Sequence, residues 1–210
     1  RRALSALCDA LPQHNRKRDS RTAEPWPEQG ERLRALKAEL RAEYAEFSPQ
    51  FEYAMAIREA LPDDGFFVDE MTQVGHVASF AFPVYQPRTY VSAGYQATLG
   101  YGFSTALGVK VANPDRAVVS ISGDGGFLYG ATELASAALH NIGIVAIVFT
   151  DGAFGNVMRS QKQQYGGRVI ASELRNPDFV KLAESFGIAA MRVTTPQELG
   201  RAVSAALERT

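Results

Sequence analysis

From Phe51 onward, the apolar residues alternate between two patterns. Short, nearly unbroken runs read as strands with both faces buried, and longer stretches with helical spacing read as helices. The expected strands are Phe66–Asp69, Tyr90–Ser92, Ala117–Ile121, Ile144–Phe149 and Ala189–Val193. Ile144–Phe149 is the kind of continuous run found inside parallel sheets. Helices are expected over Phe51–Leu61, which ends at Pro62-Asp63-Asp64-Gly65, over Leu99–Val111, and over Ala131–His140. Asn176 reads as the cap of a further helix with Pro177 at its first position, and Thr195 begins a last one over Pro196–Leu207. Gly100, Gly102 and Gly108 make the helix at 99–111 a small-residue one, suited to close packing. Strands alternating with helices predict an α/β fold, a three-layer, open and mainly parallel sheet with helices on both faces.

Ahead of Phe51 the texture changes. A short amphipathic stretch over Arg2–Leu11 gives way to a polar linker over Pro12–Gly30 and then to a charged helix over Glu31–Glu46. Residues 1–50 hold 18 of the 45 charges, whereas 13 of the 18 glycines lie between Gly94 and Gly167. A boundary is therefore placed near residue 48. Residues 1–48 read as the end of a preceding domain plus a linker, and residues 49–210 as the main domain.

The 210 residues are 46% hydrophobic with a formal net charge of -1, which offers no basic face to a nucleic acid. The longest apolar run is far short of the roughly 18 residues that cross a bilayer. Cys8 stands alone, so neither a disulfide framework nor a CxxC site is present. The expectation is a soluble, cytoplasmic chain without nucleic-acid or membrane partners.

Ligands of open parallel sheets sit at the carboxyl ends of the strands. Two strands here end in carboxylates flanked by glycines: Ser122-Gly123-Asp124-Gly125-Gly126, and Thr150-Asp151-Gly152-Ala153-Phe154-Gly155-Asn156. Glycines let backbone N–H groups approach an anion, and a carboxylate among them calls for a bridging cation such as Mg²⁺. Each stretch alone is also an ordinary turn. Consecutive strands joined by one helix bring both to the same sheet edge, and that makes a metal–diphosphate site. The dinucleotide pattern G-x-G-x-x-G fails, because Leu128 stands at its sixth position. A conventional nucleotide-binding domain stays open as a minor alternative, to be separated by competition with ATP or NAD.

The segment GDGGFLYGATELASAALHNIGIVAIVFTDGAFGNVMR resembles the thiamine-diphosphate motif, which opens with GDG and closes with an Asn-Asn type pair. It is similar in particular to the acetolactate synthase and benzoylformate decarboxylase group. VSAGYQATLGYGFSTALGVKVANPDRAVVSISGDG and NPDFVKLAESFGI resemble the same group, so the resemblance covers about residues 50 to 208, the diphosphate-binding (PP) domain. It implies that Asp124, Asp151 and the carbonyl of Ala153 hold Mg²⁺, and that Gly123, Gly125 and Gly126 wrap the diphosphate. Phe154, Gly155 and Asn156 would close the loop over it, and Gln73, read here as a loop residue, would contact the phosphate end. Leu99 would hold the cofactor bent, and Ala97 would offer its carbonyl to the 4′-amino group. The plainer alternatives are that Leu99 is helix core and Gln73 a solvated loop residue.

Two departures qualify the resemblance. Thr150-Asp151 replaces the usual Asn-Asn pair, which adds a negative charge beside the diphosphate. Arg159 and Lys162 are the nearest cations, and both also read as ordinary solvated charges. The family's activating glutamate belongs to a separate pyrimidine-binding (PYR) domain, and nothing in this chain matches that domain; Glu70 and Glu133 are poor substitutes. No catalytic residue is therefore assigned here. The resemblance implies a 2-oxo acid substrate, a PYR domain in the same protein or a partner subunit, a homodimer or homotetramer, and little activity in this chain alone. FAD binding is left open. The expected function is acetolactate-synthase-like decarboxylation with carboligation. The alternatives are a non-oxidative decarboxylase of the benzoylformate type and a non-catalytic PP-like regulatory or structural domain.

Overall fold

The computed structural model describes residues 27–210, with side chains from Gly30 onward. The helix read at Arg2–Leu11 and most of the expected linker lie outside the described residues. The chain divides into two compact units, Arg1–Glu43 and Tyr44–Thr210. The described part of the first is helix α1 (Pro27–Tyr44), which runs up to the division. It begins inside the stretch read as linker, since a proline in the first turn of a helix lacks only an N–H that would be unpaired anyway. It also stops short of Glu46, and Ala45–Phe47 forms a separate 3₁₀ turn.

The second unit runs α2 (Gln50–Ala60), β1 (Phe66–Asp69), α3 (Gln73–Ala81), β2 (Tyr90–Ser92), α4 (Tyr101–Ala112), β3 (Val118–Gly123), α5 (Asp124–Gly130) and α6 (Leu134–Leu139). It continues with β4 (Val145–Phe149), α7 (Gly155–Gln164), α8 (Phe179–Ser185) and α9 (Pro196–Leu207). The strands form one sheet in the order β2-β1-β3-β4, and every neighbouring pair is parallel. Alternate side chains along each strand feed opposite layers. Phe67, Val119, Ile121, Ile147 and Phe149 pack with Phe51, Ile57, Val77, Leu199 and Val203 of α2, α3 and α9. Phe66, Val68, Val118 and Val148 pack on the other face, where Phe103, Ala106, Leu107, Phe127 and Leu134 of α4, α5 and α6 cover them. The sheet thus carries helices on both faces, and the expected three-layer α/β fold holds.

Several local expectations need correction. Ala189–Val193 forms no strand: Arg192 turns outward to pair with Asp178 at 3.6 Å, and only Val193 reaches the core. With no further strand beside it, β4 is an edge of the described sheet and only half-buried, rather than an interior strand. A helix, α3, occupies the segment read as a loop, because the Thr72 side chain caps it by accepting from Gly75 N. The helix expected over 131–140 breaks into a 3₁₀ turn (Ala131–Glu133) and α6. Of the helix glycines, only Gly102 is pressed against the sheet: an added Cβ would lie 2.8 Å from Ser122 Oγ, whereas one at Gly108 would meet nothing.

Candidate functional site

The parallel register aligns the strand ends, pairing Asp69 with Ile121 and Gly123 with Phe149. The loops after β1, β2, β3 and β4 therefore share one edge. Because β1 lies between β2 and β3, the chain leaves β1 toward one side and returns on the other, which opens a crevice between β1 and β3. Glu70 and Asp124 follow those two strands.

Asp124 is 2% exposed and begins α5. Its Oδ2 accepts from Gly152 N at 2.8 Å, Asp151 N at 3.2 Å and Asn176 Nδ2 at 2.6 Å. Among the described residues, its Oδ1 accepts only from Gly125 N, at 2.8 Å. A carboxylate has about four lone-pair sites, so Oδ2 is saturated while Oδ1 keeps acceptor capacity. Asp151 is exposed, and its Oδ1 accepts from Ala153 N at 3.1 Å in a tight Asx-type turn. Asp151 Oδ2 lies 2.8 Å from where a Cβ on Gly155 would stand. An alanine there would crowd that oxygen.

The closing loop is fixed from the other side. Phe154 N donates to Ser172 O and Leu174 N to Gly152 O, each at 2.8 Å, in a short antiparallel bridge. Gln161 of α7 holds the far strand of that bridge, accepting from Ser172 Oγ at 2.8 Å and donating to Ile170 O at 2.9 Å. This bridge is what carries Asn176 to Asp124 across 52 residues of sequence. Asn176 is therefore a site residue rather than the helix cap that its Asn-Pro-Asp setting suggests. Asp178 caps α8 instead, accepting from Val180 N and Lys181 N.

The glycines of the motif have packing reasons of their own. A Cβ on Gly125 would come within 2.4 Å of the Phe154 ring, and one on Gly126 within 1.7 Å of Glu70 Oε1. Gly123 is freer, with Thr72 Cγ2 at 3.8 Å as the nearest neighbour. Gln73 begins α3, and its Oε1 accepts from Arg159 Nη2 at 2.7 Å. Its Nε2 lies 3.5 Å from the Gly155 Cβ position, which places the amide beside Asp151. Arg159, read as a solvated charge, is thus tied to the site. Asn156 is exposed on α7 and joins none of these hydrogen bonds.

Across the crevice, Glu70 is 1% exposed and accepts from Gly102 N at 2.6 Å, Gly100 N at 3.1 Å and Ser122 Oγ at 3.2 Å. These bonds fix the turn ahead of α4. Ala97 in that turn is left-handed, at φ 48° and ψ 43°, and Gly100 follows at φ 84°. Leu99 lies before the helix rather than opening it and is 37% exposed, so it is not helix core. Beside Glu70, burial pushes the Asp69 carboxyl up to about 7, against the lowering effect of the Tyr90 hydroxyl, which donates to it at 2.7 Å. Glu133 accepts from Ser136 Oγ, and His76 is exposed on α3. The edge thus offers oxygen donors of the kind a hard divalent cation takes: Asp124 Oδ1, Asp151 Oδ2 and the Ala153 carbonyl. Nearby, Asn176 Oδ1 is a buried acceptor that receives no hydrogen bond among the described residues. The residues present fit a cation with an anionic ligand beside it.

Residues 70–210 match the family thiamine pyrophosphate enzyme, C-terminal TPP binding domain. The chain belongs to this family. The resemblance to thiamine-diphosphate enzymes read from the motifs is therefore borne out. Among the relatives of this C-terminal domain, the acetolactate synthase isozyme 3 large subunit of Escherichia coli is 30% identical over 100% of this chain and 37% of its own length. The probable 2-ketoarginine decarboxylase of Pseudomonas aeruginosa is 34% identical over 95% of this chain and 34% of its own. A solved structure, the thiamine diphosphate-dependent 4-hydroxybenzoylformate decarboxylase of Rhodococcus jostii, superposes with a TM-score of 0.69 at 30% identity. It covers 76% of this chain and 30% of that one. The chain spans only about a third of the length of these two curated relatives. It is a thiamine-diphosphate-binding C-terminal domain of the acetolactate-synthase-like kind, with decarboxylases among its relatives.

Proposed function

We propose that this domain, within a longer protein, holds thiamine diphosphate and Mg²⁺ for decarboxylation of a 2-oxo acid followed by carboligation. The observation that carries this reading is Asp124, a buried carboxylate whose Oδ2 is saturated by the Asp151–Gly152 backbone and Asn176 while Oδ1 keeps acceptor capacity. Asp124, Asp151 and the Ala153 carbonyl would hold the cation. Gly123, Gly125, Gly126, Phe154, Gly155, Asn156 and Gln73 would line the diphosphate, with Leu99 and Ala97 serving the ring end. When bound, the cofactor supplies a nucleophilic carbon and an electron sink for loss of CO₂, while the protein supplies position and electrostatics.

The activating glutamate belongs, in this reading, to a PYR domain elsewhere in the protein or in a partner subunit of a homodimer or homotetramer. Glu70 is committed to Gly100, Gly102 and Ser122, which argues against its taking that role. Residues 1–48 would be the end of a preceding domain plus a linker, and the chain's division at Glu43–Tyr44 falls just ahead of that boundary. A second reading, a simple 2-oxo acid decarboxylase, is favoured by the similarity to the Pseudomonas and Rhodococcus decarboxylases. Product analysis with a 2-oxo acid separates release of an aldehyde from its ligation to a second acceptor.

Calorimetric titration of thiamine diphosphate into the full-length protein, with Mg²⁺ and again with EDTA, tests the site. Metal-dependent heat is expected with thiamine diphosphate but not with ATP or NAD, and Asp124→Ala should abolish it. Binding by Asp124→Ala with unchanged Mg²⁺ dependence would sink the metal assignment. No heat from the wild type would favour a non-catalytic domain.

A further inference from the structure

Asn176 carries two observations that bear on how the cation site is held. Its Nδ2 makes the shortest of the bonds to Asp124 Oδ2, at 2.6 Å. Its Oδ1 is buried and accepts no hydrogen bond among the described residues. The orientation of the amide is not arbitrary: Asp124 is acceptor-only when ionised, so the nitrogen must face it and the oxygen must turn away. Amide geometry keeps that oxygen within about 5 Å of Asp124 Oδ2. A buried acceptor left without a donor is costly, and such groups in native proteins find a partner in protein, water or ion. No donor among the described residues serves this one, so the amide is held in this orientation at a cost.

We infer that Asn176 is a positioning residue of the cation site, with Nδ2 fixing Asp124 so that Oδ1 of that carboxylate faces the cation. This rests on the Mg²⁺–thiamine diphosphate reading above. Two backbone donors, Asp151 N and Gly152 N, approach Asp124 Oδ2 from one loop, and Asn176 supplies the third donor to that oxygen from a separate segment, so the carboxylate does not rotate with that loop. Partners that orient a metal ligand without touching the metal commonly change metal affinity 10- to 100-fold when removed.

The test uses the full-length protein with Mn²⁺ in place of Mg²⁺, at saturating thiamine diphosphate. Asn176→Ala and the nearly isosteric Asn176→Leu are compared with wild type for Mn²⁺ affinity and for the electron paramagnetic resonance line shape of the bound ion. The leucine variant preserves packing should alanine fail to fold, and thermal unfolding without metal monitors both. The expected result is Mn²⁺ affinity about 10- to 100-fold weaker in both variants, with an altered line shape in any residual bound ion. A purely structural asparagine would shift the unfolding midpoint and leave the line shape as in wild type. Affinity within twofold of wild type and an unchanged line shape in Asn176→Leu would overturn the inference while leaving the cofactor reading intact. A wild-type protein that binds no Mn²⁺ with thiamine diphosphate would remove the cofactor reading and this inference together.

Discussion

Glu70 and Asp151 are two carboxylates on one sheet edge, following β1 and β4, and the chain treats them in opposite ways. Glu70 is 1% exposed, and its two oxygens accept three hydrogen bonds from Gly100, Gly102 and Ser122. Asp151 is exposed, with one oxygen serving its own turn and the other facing Gly155. The buried half, around Glu70, is finished: both oxygens of that carboxylate are engaged, Gly102 and Gly126 are packed against it, and its bonds hold the backbone at Gly100 and Gly102. The open half keeps acceptors for something the chain itself does not supply. Rigid support on one side and unfilled acceptors on the other is the division of labour that ligand sites need, since a charge held in a fixed place costs no reorganisation when a ligand arrives.

Removing the support should have the largest effect. Glu70→Ala strands two buried backbone N–H groups and the Ser122 hydroxyl, and it empties the space against which Gly102 and Gly126 pack. The loss expected in urea unfolding is about 3–5 kcal/mol, from charge-assisted bonds and unsatisfied donors together. A loss below about 1 kcal/mol would mean that the buried half does not depend on this carboxylate, and the contrast with Asp151 would collapse.

How much of this was legible depends on sequence distance. The strands at 66–69 and 90–92, the expected strand at 144–149 less its first residue, and the Asp151 loop are short-range patterns that stand where local chemistry puts them, whereas the GDG stretch opens helix α5 rather than a turn. Glu70 bonds Gly102 across 32 residues and Asp124 bonds Asn176 across 52, and no local pattern expresses such a pairing. The Asn176 signal was present but masked by its neighbour. Asn176 and Asp178 are both cap residues, and the one nearer the helix took the cap, which freed the other side chain. Gln73 misled in the opposite direction: Thr72 turns the segment after β1 into a helix and brings the Gln73 amide to Arg159. The strand expected at Ala189–Val193 shows the limit of reading apolar runs, because Arg192 leaves the segment facing water.

Asp69, next to Glu70, extends the comparison to pH. Its folded-state carboxyl is raised to about 7 by burial, so between its ordinary value near 4 and about 7 the folded protein binds more protons than the unfolded chain. Stability contributed by the protonated carboxyl is present at low pH and is lost as pH rises through that window, by an amount on the order of a few kcal/mol. Asp69→Asn keeps an acceptor for the Tyr90 hydroxyl and cannot ionise, so its unfolding free energy should lack this downward slope. The measurement is urea unfolding at intervals from pH 4 to 8 for both proteins. Parallel curves would mean that Asp69 does not carry the titration.

The smallest effect is expected in the open half. Asp151→Asn retains an oxygen to accept from Ala153 N, so the turn should survive with stability unchanged within about 0.5 kcal/mol. What changes is one negative charge beside the proposed diphosphate. Because Asp151 is exposed, the interaction is screened, and Arg159, tied to Gln73 nearby, offsets part of it. At saturating Mg²⁺, thiamine diphosphate should bind the variant about three- to fivefold more tightly, equivalent to roughly 1 kcal/mol, and the gain should shrink in high salt. At limiting Mg²⁺ the order should reverse, because the asparagine oxygen is a weaker partner for a divalent cation than the carboxylate it replaces. Calorimetric titration across Mg²⁺ concentrations reads both regimes in one experiment. A crossing of the two affinity curves would place Asp151 at the cation; curves that stay parallel would leave it a charge near the ligand and nothing more.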